Sequence, residues 1–246
     1  MRLVILMIIA LLPQTLWAQT EVYTNRLAIG IAIDADDSTA LARIATLGGN
    51  LEQPNLFDLT PLMQAAGDGS VKCAQFLIGH GVQVDATNRE GFSAAYYAVY
   101  LGLSDPSRHD PTYRAGRAQV LQLLISAGSD VSRRFWHARG FTLAHIAALT
   151  DNIQCMKVLA AAKVDMNATA NFGETPLMIA AQNDHLDVVR YLVANGASLD
   201  AETVAGRNVL DYGANWPDVT TYLRSAGARS GSYATLLQQA FGSSAP

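Results

Sequence analysis

The chain has 246 residues, of which 50% are hydrophobic and 15% charged, so it holds the material for a sizeable core in one large domain or two ordinary ones. Its 17 Lys and Arg stand against 21 Asp and Glu, with no basic stripe and no run of a single sign. That balance excludes a nucleic-acid surface, a polybasic membrane patch and a charged solvating tail.

The N-terminal segment comes first. Arg2 and the amino terminus supply positive charge, Leu3 to Leu12 is unbroken apolar sequence, Pro13 ends it, and Leu16-Trp17-Ala18 precedes Gln19. These are the charged region, apolar region and small-residue cleavage point of a signal peptide, with Leu16 a poor residue for its place before the cut. A membrane-spanning helix needs about 20 apolar residues, roughly twice this run, so an uncleaved anchor is the weaker alternative. Residues 1–18 are therefore predicted to be removed on export and 19–24 to form a linker. The mature chain is expected in a bacterial periplasm, without stable membrane insertion; secretion beyond the cell is the other exported destination.

From Asn25 onward the sequence repeats. A degenerate first unit carries Leu27, Ile29 and Ala32 in its first helix and Ile44 ahead of Gly48. Better copies begin at Asp58 (DLTPLMQAA), Gly91 (GFSAAYYAV), Gly140 (GFTLAHIAA), Gly173 (GETPLMIAA) and Gly206 (GRNVLDYGA), spaced by 33 residues except for the step from Gly91 to Gly140, which is 49. A second landmark follows each start: Leu77 leads to Gly81, Leu124 to Gly128, Leu192 to Gly196 and Leu223 to Gly227. Each unit thus reads as a turn, a short helix with paired alanines, a loop, a second helix of period 3.6, and a glycine that closes it. One such unit cannot cover its own apolar face, so neighbours must stack.

Thr60-Pro61-Leu62 and Thr175-Pro176-Leu177 resemble the TPLH motif of the ankyrin repeat, and Thr142-Leu143-Ala144-His145 is a divergent copy that keeps the histidine. The resemblance covers about 25–229. It implies an all-α solenoid of five to six helix–turn–helix units joined by short β-hairpin turns: 25–57, 58–90, 91–139, 140–172, 173–205 and 206–229. It also implies a structural hydrogen bond for His145, and partner binding through the concave face and hairpin tips. The sequence departs from the pattern where Ser93-Ala94-Ala95-Tyr96 and Asn208-Val209-Leu210-Asp211 lack the proline and where Lys163 replaces the closing glycine. Residues 230–246, with Tyr233, Leu236, Leu237 and Phe241, read as a capping helix or tail.

The sixteen extra residues of the long step fall in two places. Fourteen lie around 103–117 (LSDPSRHDPTYRAGR), a surface loop by its two prolines and polar composition. Two lengthen the hairpin Ser132-Arg133-Arg134-Phe135-Trp136-His137-Ala138-Arg139. Trp and Arg are enriched among interface hot spots, so Arg133, Arg134, Phe135, Trp136, His137 and Arg139 are the leading candidate partner contacts. Fold-back of Phe135 and Trp136 onto the protein is the competing reading. Phe57, Arg89 and Phe172 are weaker candidates at equivalent tips, as are Leu56, Asn88, Asn171 and Val204.

The five histidines fall at different repeat positions, with no metal-ligand spacing among them. Cys73 and Cys155 share one helix position two units apart, about 20 Å by helix packing distances, too far for a disulfide; both are predicted to be buried free thiols. The sequence therefore predicts no enzyme, no metal and no cofactor. The expected function is protein–protein interaction by a monomer in the cell envelope, as a scaffold or accessory factor. The alternative is an immunity protein that blocks a toxin enzyme delivered to the periplasm.

Overall fold

The computed structural model describes residues 25–100, 110–135 and 139–233; the predicted signal peptide and linker, Trp136, His137 and residues 234–246 lie outside them. Twelve helices are described: α1 (25–34), α2 (Ser38–Thr46), α3 (Pro61–Asp68), α4 (Val71–Gly79), α5 (Ala94–Val99), α6 (Pro111–Ser126), α7 (Leu143–Leu149), α8 (Ile153–Ala161), α9 (Pro176–Gln182), α10 (Leu186–Ala194), α11 (Val209–Tyr212) and α12 (Pro217–Ser225). They form six antiparallel pairs in two layers. First helices stack in the order α3, α5, α7, α9, α11, and second helices in the order α2, α4, α6, α8, α10, α12. The fold is an all-α solenoid. Extended pairing among the described residues is limited to two isolated bridges in the hairpins, Thr87 with Ser93 and Phe135 with Phe141.

Local sequence explains where each first helix begins. Thr60 and Thr175 accept the amides of Met63 and Met178, and Pro61 and Pro176 sit in the first turn, where their missing N–H costs nothing. Asn208 does the same work in the last unit, accepting from Leu210 and Asp211. The paired alanines Ala65-Ala66, Ala147-Ala148 and Ala180-Ala181 are all buried, as are Ala98 and Val99 at the same position of the third unit. Their small side chains bring neighbouring first helices close together.

What joins the units is a hydrogen bond repeated with different chemistry. At every junction, a side chain near the start of one unit's second helix reaches a carbonyl in the last turn of the preceding unit's first helix. Ser70 donates to Ile33 at 2.7 Å, Asn152 to Val99 at 3.1 Å and Trp216 to Gln182 at 2.9 Å, while His185 Nε2 meets the Leu149 carbonyl at 3.1 Å. Between the second and third units the donor is Arg117, whose guanidinium bonds the Gly67 carbonyl and, at 2.9 Å, that of Tyr100. Terminal carbonyls of a helix have no partner of their own, so each junction closes an otherwise open account.

Arg117 corrects the reading of 103–117 as a surface loop for its last seven residues; 103–109 lie outside the described residues. Residues 111–117 are the first two turns of the 16-residue α6, started by Asp110, which caps Thr112, and by Pro111. The composition that reads as loop is that of a helix N-terminus. This extension lies against α3, with Gly116 so close to Gly69 that a Cβ would meet the Gly69 carbonyl oxygen at 2.4 Å. Arg117 is fully buried.

Lys163 closes α8 with a φ of 59°, so the left-handed geometry is kept without glycine. Phe135 is also corrected: its side chain is only 3% exposed and packs on Tyr96 and Phe92, with ring centroids 4.9 and 6.0 Å away. The rings of Phe92, just before α5, and of Tyr96 on it offer more buried contact than solvent would, so Phe135 serves the core and is closed to a partner. Cys73 and Cys155 are buried and unpaired. Their thiols point at equivalent carbonyls, Ala32 and Ala98, and burial pushes both up to about 12.

Two stability outcomes follow. Arg117→Met keeps bulk but strands two carbonyls, so the unfolding free energy in urea, read by circular dichroism, should fall by about 3 kcal/mol. Lys163→Gly relieves the left-handed cost and should raise stability by about 1 kcal/mol, read as a higher melting temperature; an unchanged or lower one contradicts it.

Candidate functional site

The hairpin tips project from one edge of the stack and are tied in sequence. The Arg89 amide donates to Asp58 at 2.8 Å, the Asn171 amide to the Arg139 carbonyl at 3.1 Å, and the Val204 amide to the Phe172 carbonyl at 2.9 Å. A row of side chains is thereby held at the mouth of the concave face. Phe57 is 80% exposed, Val204 79%, Leu56 74% and Phe172 52%.

The two halves of this face differ. In the C-terminal half, arginines close over the aromatic rings. Arg139 lies 5.5 Å from the Phe172 ring and pairs with the buried Glu174 carboxylate at 2.7 Å, while Arg207 sits over both Tyr212 and Tyr233. The Tyr233 amide also donates to Gly206, and Ser232 to Glu202, so the chain just past Arg229 seals the last unit.

The N-terminal half is open. Helix α1 buries Ile29, Ala32 and Ile33 but leaves Leu27 and Ile31 at 67% and 60% exposure. With Leu56, Phe57 and Gln64 they line a groove of about 390 Å³. Gln64 is held at its floor by Asn55 and by Asp34, to which it donates at 2.9 Å. In repeat register Ile31 corresponds to Gln64, Tyr97, Ile146, Ile179 and Tyr212, and of these Ile146 and Ile179 are buried. The same position is thus covered in the fourth and fifth units and bare in the first.

The sequence candidates divide accordingly. Phe57, Arg89 and Phe172 are presented at the tips, Arg89 with 92% of its side chain exposed. Arg134 is exposed but bonded to the Thr169 carbonyl, and Arg139 is spent on Glu174 and Phe172. Arg133 lies beside Asp130, whose carboxyl is held below its ordinary value by Ser132 first and by Arg133 last. Phe135 is inside; Trp136 and His137 fall outside the described residues. The structure brings Phe57 together with Leu27 and Ile31, which the sequence reading did not single out as surface. A signal was present: α1 is apolar at 27, 28, 29, 31, 32 and 33, more than one buried stripe requires.

Among the described residues no cluster of three His, Cys, Asp or Glu is arranged to hold a metal ion, and no helix is long and apolar enough to cross a membrane. His145 takes the structural role implied for it. Its Nδ1 meets the Thr142 amide and hydroxyl at 3.2 and 2.9 Å, and its Nε2 meets the Glu174 carbonyl of the next unit at 2.9 Å. Burial pulls its pKa down to about 4, so the ring is neutral at pH 7. The unfolded chain, near 6.5, takes up a proton that the folded chain refuses. Stability is therefore full above pH 6.5 and lost as pH falls toward 4, by about 3 kcal/mol for this group. Urea midpoints at pH 7, 6 and 5 should drop more steeply for the natural chain than for His145→Gln.

The family model described as "Ankyrin repeats (3 copies)" matches residues 27–106 and 112–228. Among curated proteins, the chain is 33% identical over 114 residues to alpha-latrocrustotoxin-Lt1a of Latrodectus tredecimguttatus, covering 46% of this chain and 8% of that protein. It is 37% identical over 65 residues to protein phosphatase 1 regulatory subunit 27 of Homo sapiens, covering 26% of this chain and 42% of that one. The chain thus spans less than half the length of these relatives. The crystal structure of the human ASB11 ankyrin repeat domain superimposes with a TM-score of 0.68 at 22% identity, over 82% of this chain and 84% of that chain, a likeness of fold.

Proposed function

Because the chain belongs to the ankyrin-repeat family, whose repeats are protein–protein interaction modules, we propose that it is a non-catalytic binding protein of the cell envelope that works through its concave face as a scaffold or accessory factor. The observation that carries this is the open end of that face, where Leu27, Ile31, Leu56 and Phe57 stand exposed around one groove. Exposed apolar side chains gathered in one patch and rimmed by polar groups mark interaction surfaces, and aromatic anchors dominate their energetics. The reading places the mature chain in the periplasm on the strength of its N-terminal sequence, Arg2 followed by Leu3–Leu12 and Ala18. The weakly charged, apolar character of the groove supports a scaffold over the alternative, an immunity protein capping a basic toxin enzyme, for which an acidic face would serve better.

The lengthened hairpin keeps a secondary place in this proposal. Arg133 stands on that hairpin beside the row of tips, Trp136 follows it three residues later in the sequence, and the two proposed contact zones are separable by mutation.

Pull-down of the mature chain from periplasmic extract should recover a defined partner, and Phe57→Asp should cut that recovery at least about tenfold with helicity unchanged, since the side chain is 80% exposed and contributes little to the core. Trp136→Ala, tested in parallel, reports on the hairpin. Undiminished recovery with Phe57→Asp, in a folded chain, removes the groove from the account.

A further inference from the structure

The groove at the open end has one feature that an apolar patch alone does not explain. Arg26 lines it beside Leu27 and Gly30. Its Nε is shielded from solvent and has no hydrogen-bond partner, as at Arg114 and Arg117, but those two guanidiniums bond backbone carbonyls through their other nitrogens, whereas no described carboxylate pairs with that of Arg26. An unpaired buried donor is a cost that folded proteins rarely leave standing, and a guanidinium is shaped to receive a carboxylate. The acid that lines the groove, Asp34, already accepts from Gln64. The other arginines that border this face are satisfied from within the chain: Arg139 by Glu174, and Arg207 by Tyr212 and Tyr233.

Resting on the reading of this face as a protein-binding surface, we propose that the groove between α1 and the first hairpin tip binds an apolar segment of a partner protein that carries a carboxylate, with Arg26 pairing the carboxylate and Leu27, Ile31, Leu56 and Phe57 receiving the apolar side chains. The charge supplies selectivity and the apolar walls supply affinity. Leu27 and Ile31, four residues apart on α1, lie one helical turn from each other on a single stripe. Arg26, the residue before Leu27, lines the groove at its N-terminal end, so the acid in the partner lies at one end of its apolar pair rather than between its members. A pairing that is partly desolvated and hydrogen-bonded discriminates strongly against reversed charge.

The test uses the full mature chain and random peptides of about a dozen residues displayed on phage. The natural chain should select sequences with two large apolar residues flanked by Asp or Glu. The Arg26→Glu chain should select Lys or Arg at that flank, and synthetic peptides of the two classes should swap affinities by about tenfold between the two chains. Ile31→Asp should abolish selection, with circular dichroism confirming the fold. Apolar peptides selected without any acidic preference, or a preference unmoved by Arg26→Glu, overturn the carboxylate assignment while leaving the protein-binding reading standing. Peptide selection that survives Ile31→Asp overturns the groove itself. If sedimentation shows a dimer that Ile31→Asp converts to monomer, the occupant is a second copy; if only a chain begun at Asn25 selects peptides, it is the chain's own 19–24. Either result also overturns the proposal.

Discussion

The molecule hangs on a donor that crosses each junction to a carbonyl at the end of the previous first helix. From the second unit on, first helices run from four to eight residues, so a large share of their carbonyls lies in the last turn and has no partner inside the helix. Buried without one, such a group costs as much as a lost hydrogen bond. The chain answers with serine, arginine, asparagine, histidine and tryptophan in turn. No single residue type is required, only a donor of the right reach. A unit with its neighbour removed would expose both an apolar face and an unanswered carbonyl, which is why stability in such an array resides in junctions as much as in units.

The same logic shapes the surface. Toward the C-terminus, Arg139, Glu174, Phe172, Arg207 and Tyr233 satisfy one another, and the concave face is finished by its own side chains. Toward the N-terminus the stack has no preceding unit among the described residues, and α1 keeps Leu27 and Ile31 in solvent. Their exposure sits beside a guanidinium with an unmatched donor. An open groove with an unmatched cation directs attention to recognition there, away from the basic hairpin, two of whose arginines already hold partners within the chain.

The repeat register was legible because its signals are local: a threonine that caps, a proline that tolerates the first turn, paired alanines and a closing residue in the left-handed region. Lys163 shows how strong the register is, since it adopts that geometry against its own preference. The equivalence of Cys73 and Cys155 was legible from spacing alone, and both thiols do point at matching carbonyls. The role of His145 came with the family resemblance, and its three short contacts bear it out. The site was less legible. Phe135 and Phe57 are both phenylalanines at hairpins, yet one is 3% and the other 80% exposed. The difference lies in Tyr96 and Phe92, which wait under Phe135 and have no counterpart under Phe57 among the described residues.

By itself, then, the sequence determined the helix pairs, their order, the stacking that follows from faces no unit can cover alone, and the family. Those are consequences of periodicity and of backbone geometry within a few residues. Only the tertiary structure decided that 111–117 is helical and buries Arg117, that Phe135 belongs to the core, and that the concave face is closed at one end and open at the other. Each of these depends on which groups meet far along the chain, 17 residues apart within one unit and 50 across a junction for Arg117 and its two carbonyls. The reach of a guanidinium or the presence of a ring beneath another leaves no period in the chain.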